Sequence, residues 1–277
     1  MIIYKNNYGQ SVNLTDWPYM MSESDLFDYE WLYETKSSSN TKVSRFYRDI
    51  TTKTVKLSIA SNTEALHNEA VVNLLNVTER DVIGLNAGRL YVGNMYLPCY
   101  FVKSKISDYY PGATFLVNEF TIISEKGRWF TEKTTTYNNS GISEVLSDDN
   151  TLDYPYDFPF DYASGMVGRT LDNDGFSGAD FEITIYGGCS NPEINIAGHK
   201  YAVACELATG EYLKINSATK KIYKVKVSGE VVNQFNYRNR DSYIFEKINP
   251  GKNAVTWSGL FGFDITIYEE RSRPIWT

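Results

Sequence analysis

The sequence is poor in the residues that most often carry chemistry: three cysteines and two histidines in 277 residues. Cys99, Cys189 and Cys205 are odd in number and widely spaced, which argues against a disulfide framework and for reduced, mostly buried thiols. His67 and His199 stand far from each other and from every cysteine, so neither a zinc site nor a catalytic Cys–His dyad is legible. No stretch approaches the roughly 20 apolar residues of a membrane span, and the opening MIIYKNNYGQ lacks the basic start and apolar block of a signal peptide. A soluble chain with no membrane partner, made in the cytoplasm, is expected. Basic charge is also short: 27 Lys and Arg against 34 Asp and Glu leave a net charge of −7 and no basic run. That excludes a nucleic-acid partner held through phosphate contacts.

Catalytic signatures are missing as well. There is no G-x-S-x-G, no H-E-x-x-H and no P-loop. LDNDGFSGAD (171–180) gathers Asp172, Asp174 and Asp180, but Gly175 follows Asp174 directly and no Glu closes a twelve-residue calcium loop, so a plain Asp/Gly turn is expected. GLFGFD opens a strand and no helix follows to offer amides to a phosphate. Glu269-Glu270 and Asp148-Asp149 are consecutive, which in a strand sends them to opposite faces; solvated charge is expected. No catalytic residue, no metal ligand and no cofactor is expected, and the chain reads as no enzyme.

What the chain has is aromatic residues, 15% of the total, and a period of two. KTVKLSIA (53–60) alternates Val55, Leu57 and Ile59 with polar neighbours, and NEFTIIS and DFEITIYG do the same. RLYVGNMYLPCYFV sets Gly93-Asn94 between two aromatic-rich runs as a tight hairpin, and NNYGQ and SSSN (37–40) are further turns. One segment departs from this rhythm. SNTEALHNEAVVNLLNVTERD carries Leu66, Ala70, Leu74 and Val77 at helical spacing, and Ser61 with Glu64 matches a capping box, predicting one amphipathic helix that leans on a sheet. His67, one position past Leu66, would face solvent.

After Phe130 the pattern dissolves into TEKTTTYNNSGISEVLSDDN, a composition shift that marks a boundary near 130–165. TLDYPYDFPFDYASG follows, with Tyr154, Tyr156, Phe158, Phe160 and Tyr162 at alternate positions. Pro155 and Pro159 forbid a helix, and five aromatics in nine positions are too many for a chain left in water. An extended strap docked on one or both domains is expected. From Gly178 onward short strands return at intervals of about 8 to 12 residues, the mark of an antiparallel sandwich. Trp276, within one residue of the end, is expected to dock on its own sandwich, the alternative being a neighbour's pocket.

YKNNYGQSVNLTDWPYMMSESDLFDYEW at the front, the YPYDFPFDY strap, and ITIYGGCSNPEINIAGHKY, GEYLKINSATKKIYK and NYRNRDSYIFEKINPGKNAVTWSGLFGFDITIYEERSRPIW at the end resemble the distal tail protein (Dit) of long-tailed phages and prophages of Gram-positive bacteria. The resemblance implies a mainly β chain of two β-sandwich-type domains. Residues 1–135 would form a belt-like, ring-forming domain with one helix and a long hairpin, 136–164 the strap between domains, and 165–277 a galectin-like antiparallel sandwich. It implies a homo-oligomer, a ring of six, that joins the tail tube protein to the tail-tip or tail-associated protein and holds receptor-binding or baseplate proteins. The location implied is the virion tail tip, after assembly in the bacterial host cytoplasm. EWLYETKSSSNTKVSRFYRD (30–49) is expected to supply the hairpin, with Trp31 and Tyr33 opposite Phe46 and Tyr47 at the oligomer interface.

Sugar-binding galectins carry a His-x-Asn-Pro-Arg and a Trp-Gly-x-Glu-x-Arg stretch. The nearest runs here, CSNPEI and TWSGLFGFD, lack the arginines and the glutamate, so Asn191-Pro192 reads as a turn and Trp257 as core. The resemblance therefore carries the fold and not a lectin site. The alternative to an assembly hub is a carbohydrate-binding module for host cell-wall glycan, with a glycan-cleaving enzyme behind it.

Overall fold

The structure, a computed structural model, describes residues 1–36, 42–107, 110–139 and 167–274. The turn expected at 37–40, Asp148-Asp149, Trp276 and the aromatics of the strap, Tyr154, Tyr156, Phe158, Phe160 and Tyr162, lie outside them. The chain divides into two compact units, residues 1–131 with 270–277 and residues 132–269. It is mainly β, with antiparallel pairing throughout the described ladders and one α-helix among the described residues. No helix among the described residues is long and apolar enough to cross a membrane.

The first unit contains β1 (Ile2–Lys5), β2 (Ser11–Asn13), β3 (Tyr19–Ser24), β4 (Leu32–Lys36), β5 (Lys42–Tyr47), β6 (Thr51–Ala60), α1 (Glu64–Ile83), β7 (Gly88–Val92), β8 (Met95–Ile106) and β9 (Phe115–Ser124). β8 pairs along Met95–Cys99 with β7 and along Tyr100–Ile106 with β9, with a register shift between Phe101 and Lys103. Such a shift bends a strand from one sheet into the next. β7 continues to β1 and β2, and β9 to β6 and β3. The alternation read in KTVKLSIA is present: Val55, Leu57 and Ile59 are buried, and the polar residues between them are not. Between β7 and β8, Val92 pairs with Met95 across Gly93-Asn94, and Gly93 takes φ 60 at the first central position, where a II′ turn requires it.

Helix α1 packs against β8, β6 and β2, and here the sequence reading needs two corrections. The cap is Thr63, whose hydroxyl accepts from the Leu66 amide; Ser61 instead donates its amide to the Thr114 carbonyl and so belongs to the sheet end. The inward face is His67, Ala70, Leu74, Val77, Thr78 and Asp81, whereas Leu66 is 52% exposed. His67 is therefore buried, not solvent-facing, because the apolar stripe is turned by one residue from the one drawn through Leu66. The helix ends in a Schellman arrangement, with Leu85 N–H donating to the Val82 carbonyl and Asn86 N–H to the Asp81 carbonyl. Leu85 holds the left-handed position, φ 50, that glycine normally takes there.

β10 (Trp129–Tyr137) has residues in both units, as does the last strand. The second unit holds β11 (Val167–Asn173), β12 (Asp180–Tyr186), β13 (Cys189–Ser190), β14 (Glu193–Ile196), β15 (His199–Ala202), β16 (Glu206–Leu207), β17 (Tyr212–Asn216), β18 (Lys221–Val225), β19 (Val231–Asn233), β20 (Gly251–Trp257) and β21 (Phe263–Arg271). One sheet runs β19-β18-β17-β12-β21 and another β11-β20-β14-β15. Their inner residues, among them Phe181, Ile183, Leu213, Ile194, Val255 and Ile265, share one core. Trp257 lies in it, 1% exposed, with its indole N–H donating to the Phe261 carbonyl at 3.0 Å. Its ring meets Phe263 edge-on, and Phe263 stacks on Tyr137 at 4.6 Å.

Candidate functional site

β4 and β5 form a two-stranded ribbon that, among the described residues, pairs with no other strand. Leu32 opposes Tyr47, Tyr33 opposes Phe46 and Glu34 opposes Arg45; after a bulge, Thr35 opposes Val43 and Lys36 opposes Lys42. Residues two apart share a face, so Tyr33, Phe46, Thr35 and Val43 make one uncharged face. Leu32, Tyr47, Glu34, Arg45, Lys36 and Lys42 make the other. Every residue of the two strands is exposed except Tyr47, which is intermediate. Tyr33 at 63% and Phe46 at 61% are far outside the range of core aromatics. Of the four aromatics expected to oppose one another, Tyr33 and Phe46 do so directly; Tyr47 faces Leu32, and Trp31 precedes the ladder.

Trp31 instead anchors the root. The Arg48 guanidinium lies 4.4 Å from the Trp31 ring centroid and 5.3 Å from that of Tyr29. It donates through Nη1 to the Gly127 carbonyl at 2.6 Å and through Nη2 to the Ser272 hydroxyl, while its Nε is buried and makes no hydrogen bond. Arg128 approaches the same indole at 5.8 Å and pairs with Glu270. Burial, and next the Arg128 charge, lower the Arg48 pKa. Glu270, expected to be solvated, is thus a largely buried counter-ion, its side chain 16% exposed.

A second surface of the same unit is a groove of about 310 Å³ beside the start of α1, lined by Trp17, Pro18, Tyr19, Leu66, Glu69 and Ala70 among others. Trp17 is 58% exposed, and Tyr19 is held below it by a 2.7 Å bond from its hydroxyl to the Ala70 carbonyl.

A carboxylate buried under the first sheet is structural. Asp81 has no exposed surface and accepts from the Tyr4 hydroxyl at 2.6 Å, the Asn7 amide at 3.0 Å and Asn7 Nδ2 at 3.3 Å. Burial and the bond to Asp81 push the Tyr4 phenol far up. Gly88 makes room for the pair: a Cβ there would fall 2.2 Å from the Tyr4 oxygen. Among the described residues no group of three His, Cys, Asp or Glu could hold a metal ion. His199 bonds the Tyr243 carbonyl at 2.9 Å, and burial raises the thiol pKa of Cys99, Cys189 and Cys205, the last to about 11. Asp174, in the Asp/Gly turn, pairs with Lys133, and Asp180 bonds the Ser217 hydroxyl.

No protein-family model matches the chain, and no curated protein matches it. Solved structures do. The SPP1 Dit (gp 19.1) protein, described as a paradigm of the hub adsorption apparatus in Gram-positive infecting phages, is 11% identical with a TM-score of 0.62, over 98% of both chains. A chain of the phage P2 baseplate in its activated conformation with Ca is 12% identical with a TM-score of 0.64, over 99% of this chain and 98% of that one. A chain of the same baseplate with Sr gives 12% and 0.60, with the same coverage. What the chain shares with these phage hub and baseplate proteins, almost from end to end, is the fold.

Proposed function

We propose that this chain is a structural subunit of a phage tail-tip hub, six copies of which close into a ring through the first unit. The ring joins the tail tube protein to the tail-tip protein and carries receptor-binding or baseplate proteins at the virion tail tip, after assembly in the cytoplasm of a Gram-positive host. It has no catalytic role. The observation that carries this reading is where apolar surface is exposed. Among the described residues, nineteen exposed large apolar side chains belong to the first unit and seven to the second. Contiguous exposed apolar surface marks an interaction site. The ribbon concentrates it, and Trp31, Tyr33, Phe46 and Tyr47 are its proposed interface residues. In this reading the segment 136–164 is the strap between the two domains, with its five aromatics as anchors.

Native mass spectrometry of the full chain across a concentration series tests the ring. A closed six-membered species is expected; a monomer at every concentration would count against it. The glycan-binding alternative has one observation in its favour, a concave surface of about 670 Å³ on the second unit that includes Tyr223, Phe235, Lys220 and Lys221. Saturable binding of purified cell-wall glycan by the full chain, lost in Tyr223→Ala, would favour it.

A further inference from the structure

Strands β17 and β18 and the turn between them hold Lys214, Lys220, Lys221 and Lys224 and no acid. Two of these cations are answered by carboxylates outside the hairpin: Lys214 pairs with Glu182 at 2.6 Å and Lys224 with Glu211 at 3.2 Å. Lys220 and Lys221 have no ion pair among the described residues. Lys220 is held by rings instead, its ammonium lying 5.4 Å from the centroid of Tyr243 and 5.2 Å from that of Phe245. A ring face orients a cation without neutralising it. The backbone supports the same placement. Lys220 takes φ 56, in the left-handed region usually left to glycine, and the Thr219 amide before it donates to Asn216 Oδ1 at 2.9 Å.

Both lysines lie at the concave surface of about 670 Å³ on the second unit, and no acid lines it. Register places what stands beside them. Asn216 opposes Lys221, and Tyr223, two positions on, opposes Asn233, so these four share one face of the sheet. With the Thr219 hydroxyl, the surface offers a half-buried phenol ring, amide and hydroxyl groups and two unpaired cations, in a volume usual for a small-ligand site. An aromatic ring with hydrogen-bonding groups around it fits a hydroxylated sugar ring, and the cations fit a negative charge carried on it. That charge must be sparse. A dense polyanion would be repelled by a chain of net charge −7, whereas an isolated anion meets only the two lysines.

We propose that this surface binds a saccharide bearing carboxylate or phosphate groups, with the anion on Lys220 and Lys221 and a sugar ring on Tyr223. The site is additional to the hub reading, which needs no ligand, and rests on the glycan-binding reading for the choice of a saccharide. The test is isothermal titration of the full chain with carboxylated and phosphorylated oligosaccharides, each beside its uncharged counterpart, and with inorganic phosphate. At least one charged oligosaccharide should bind saturably, at least about tenfold more tightly than its uncharged counterpart, and more weakly as salt is added. Lys220→Ala with Lys221→Ala, both positions being exposed, should weaken that binding about a hundredfold, and Lys252→Ala, equally exposed on β20, should leave it unchanged. Full binding in the double lysine variant would overturn the site, as would inorganic phosphate binding as tightly as the oligosaccharide. Equal binding of charged and uncharged forms would overturn the anion site and leave the glycan reading standing. No saturable binding of any oligosaccharide would overturn both, and the ring, read by native mass spectrometry, is independent of either result.

Discussion

Tyr4 and Asp81 make the sharpest prediction about what holds the first unit together. Tyr4→Phe removes one oxygen and leaves the ring, which keeps its edge-on contact with Phe101 at 4.8 Å. What is lost is a 2.6 Å bond to a carboxylate with no exposed surface. A hydrogen bond to a charged group contributes about 1.5–3 kcal/mol, and the partner left behind cannot recover it from water. Asp81 retains its two contacts from Asn7, so about 2 kcal/mol is expected rather than the full penalty of an orphaned charge. Gly88→Ala attacks the same bond from the other side, since its methyl would lie 2.2 Å from the Tyr4 oxygen and 2.3 Å from Asp81 Oδ2. Overpacking adds to the lost bond there, and about 3 kcal/mol or more is expected. Because both changes break one interaction, the double variant should fall short of the sum. Urea unfolding of the full chain would be read from Trp129, which is buried in the same core as Tyr4. A Tyr4→Phe protein within about 0.5 kcal/mol of the parent would refute the assignment, since that is the range of a neutral surface change.

Other outcomes follow from the same structure. Leu85→Gly should stabilise the protein by about 1 kcal/mol in thermal unfolding, because Leu85 is 84% exposed and occupies the left-handed position after α1. Tyr33→Ala with Phe46→Ala should leave the melting temperature of the monomer within about 2 °C while abolishing oligomers on native mass spectrometry, both rings being exposed. Alkali should unfold the chain: burial raises the phenols of Tyr4, Tyr19, Tyr137 and Tyr201, Tyr137 to about 12 from an ordinary 10.0. Their stabilising contribution is complete below the unfolded value and declines as pH rises above about 10, the share of Tyr137 being lost by about 12 and those of Tyr4 and Tyr201 only beyond it, so phenolate absorbance and loss of circular dichroism should rise together from about pH 10. Cys205, with its thiol near 11, should react with iodoacetamide at pH 8 about a hundredfold more slowly than an ordinary thiol, and Cys99 only on unfolding.

Strands were legible wherever one face alone is buried. Val55, Leu57 and Ile59 alternate with polar neighbours because the pleat sends them to the core, and Trp257 read as core because the polar partners of a lectin site were missing around it. The helix was legible in extent but not in rotation. Leu66 drew the stripe to itself by being apolar, whereas the packed face includes His67, Thr78 and Asp81, which an apolar count discards. Their signal was positional: Asp81 stands four residues beyond Val77 and seven beyond Leu74, in phase with the buried side. The capping-box match failed for a tertiary reason, the Ser61 amide being held by Thr114. The ribbon was readable from its two aromatic-rich runs. Its root was not, since Arg48 finds Gly127 and Ser272 at separations of 79 and 224 residues, beyond any local pattern.

That root bears on how a ribbon so exposed could act as an interface. An unanchored hairpin would lose its orientational freedom on docking, at about 0.5–1.5 kcal/mol for each flexible side chain immobilised, besides the ordering of its backbone. Here much of that ordering is already present in the single chain. Trp31 and Arg48 flank the two strands, and the guanidinium is fixed to the Gly127 carbonyl and the Ser272 hydroxyl while stacked on the indole. Arg128 and Glu270 close the other side. Stacking of a guanidinium on an exposed indole contributes about 0.5–1 kcal/mol, and the buried hydrogen bonds add to it. The direction in which the ribbon leaves the unit is therefore set by contacts at its base, and the residues of its two strands, Tyr47 apart, are exposed. In the reading proposed above, an element oriented by its root and exposed along its length meets a partner surface with little further ordering.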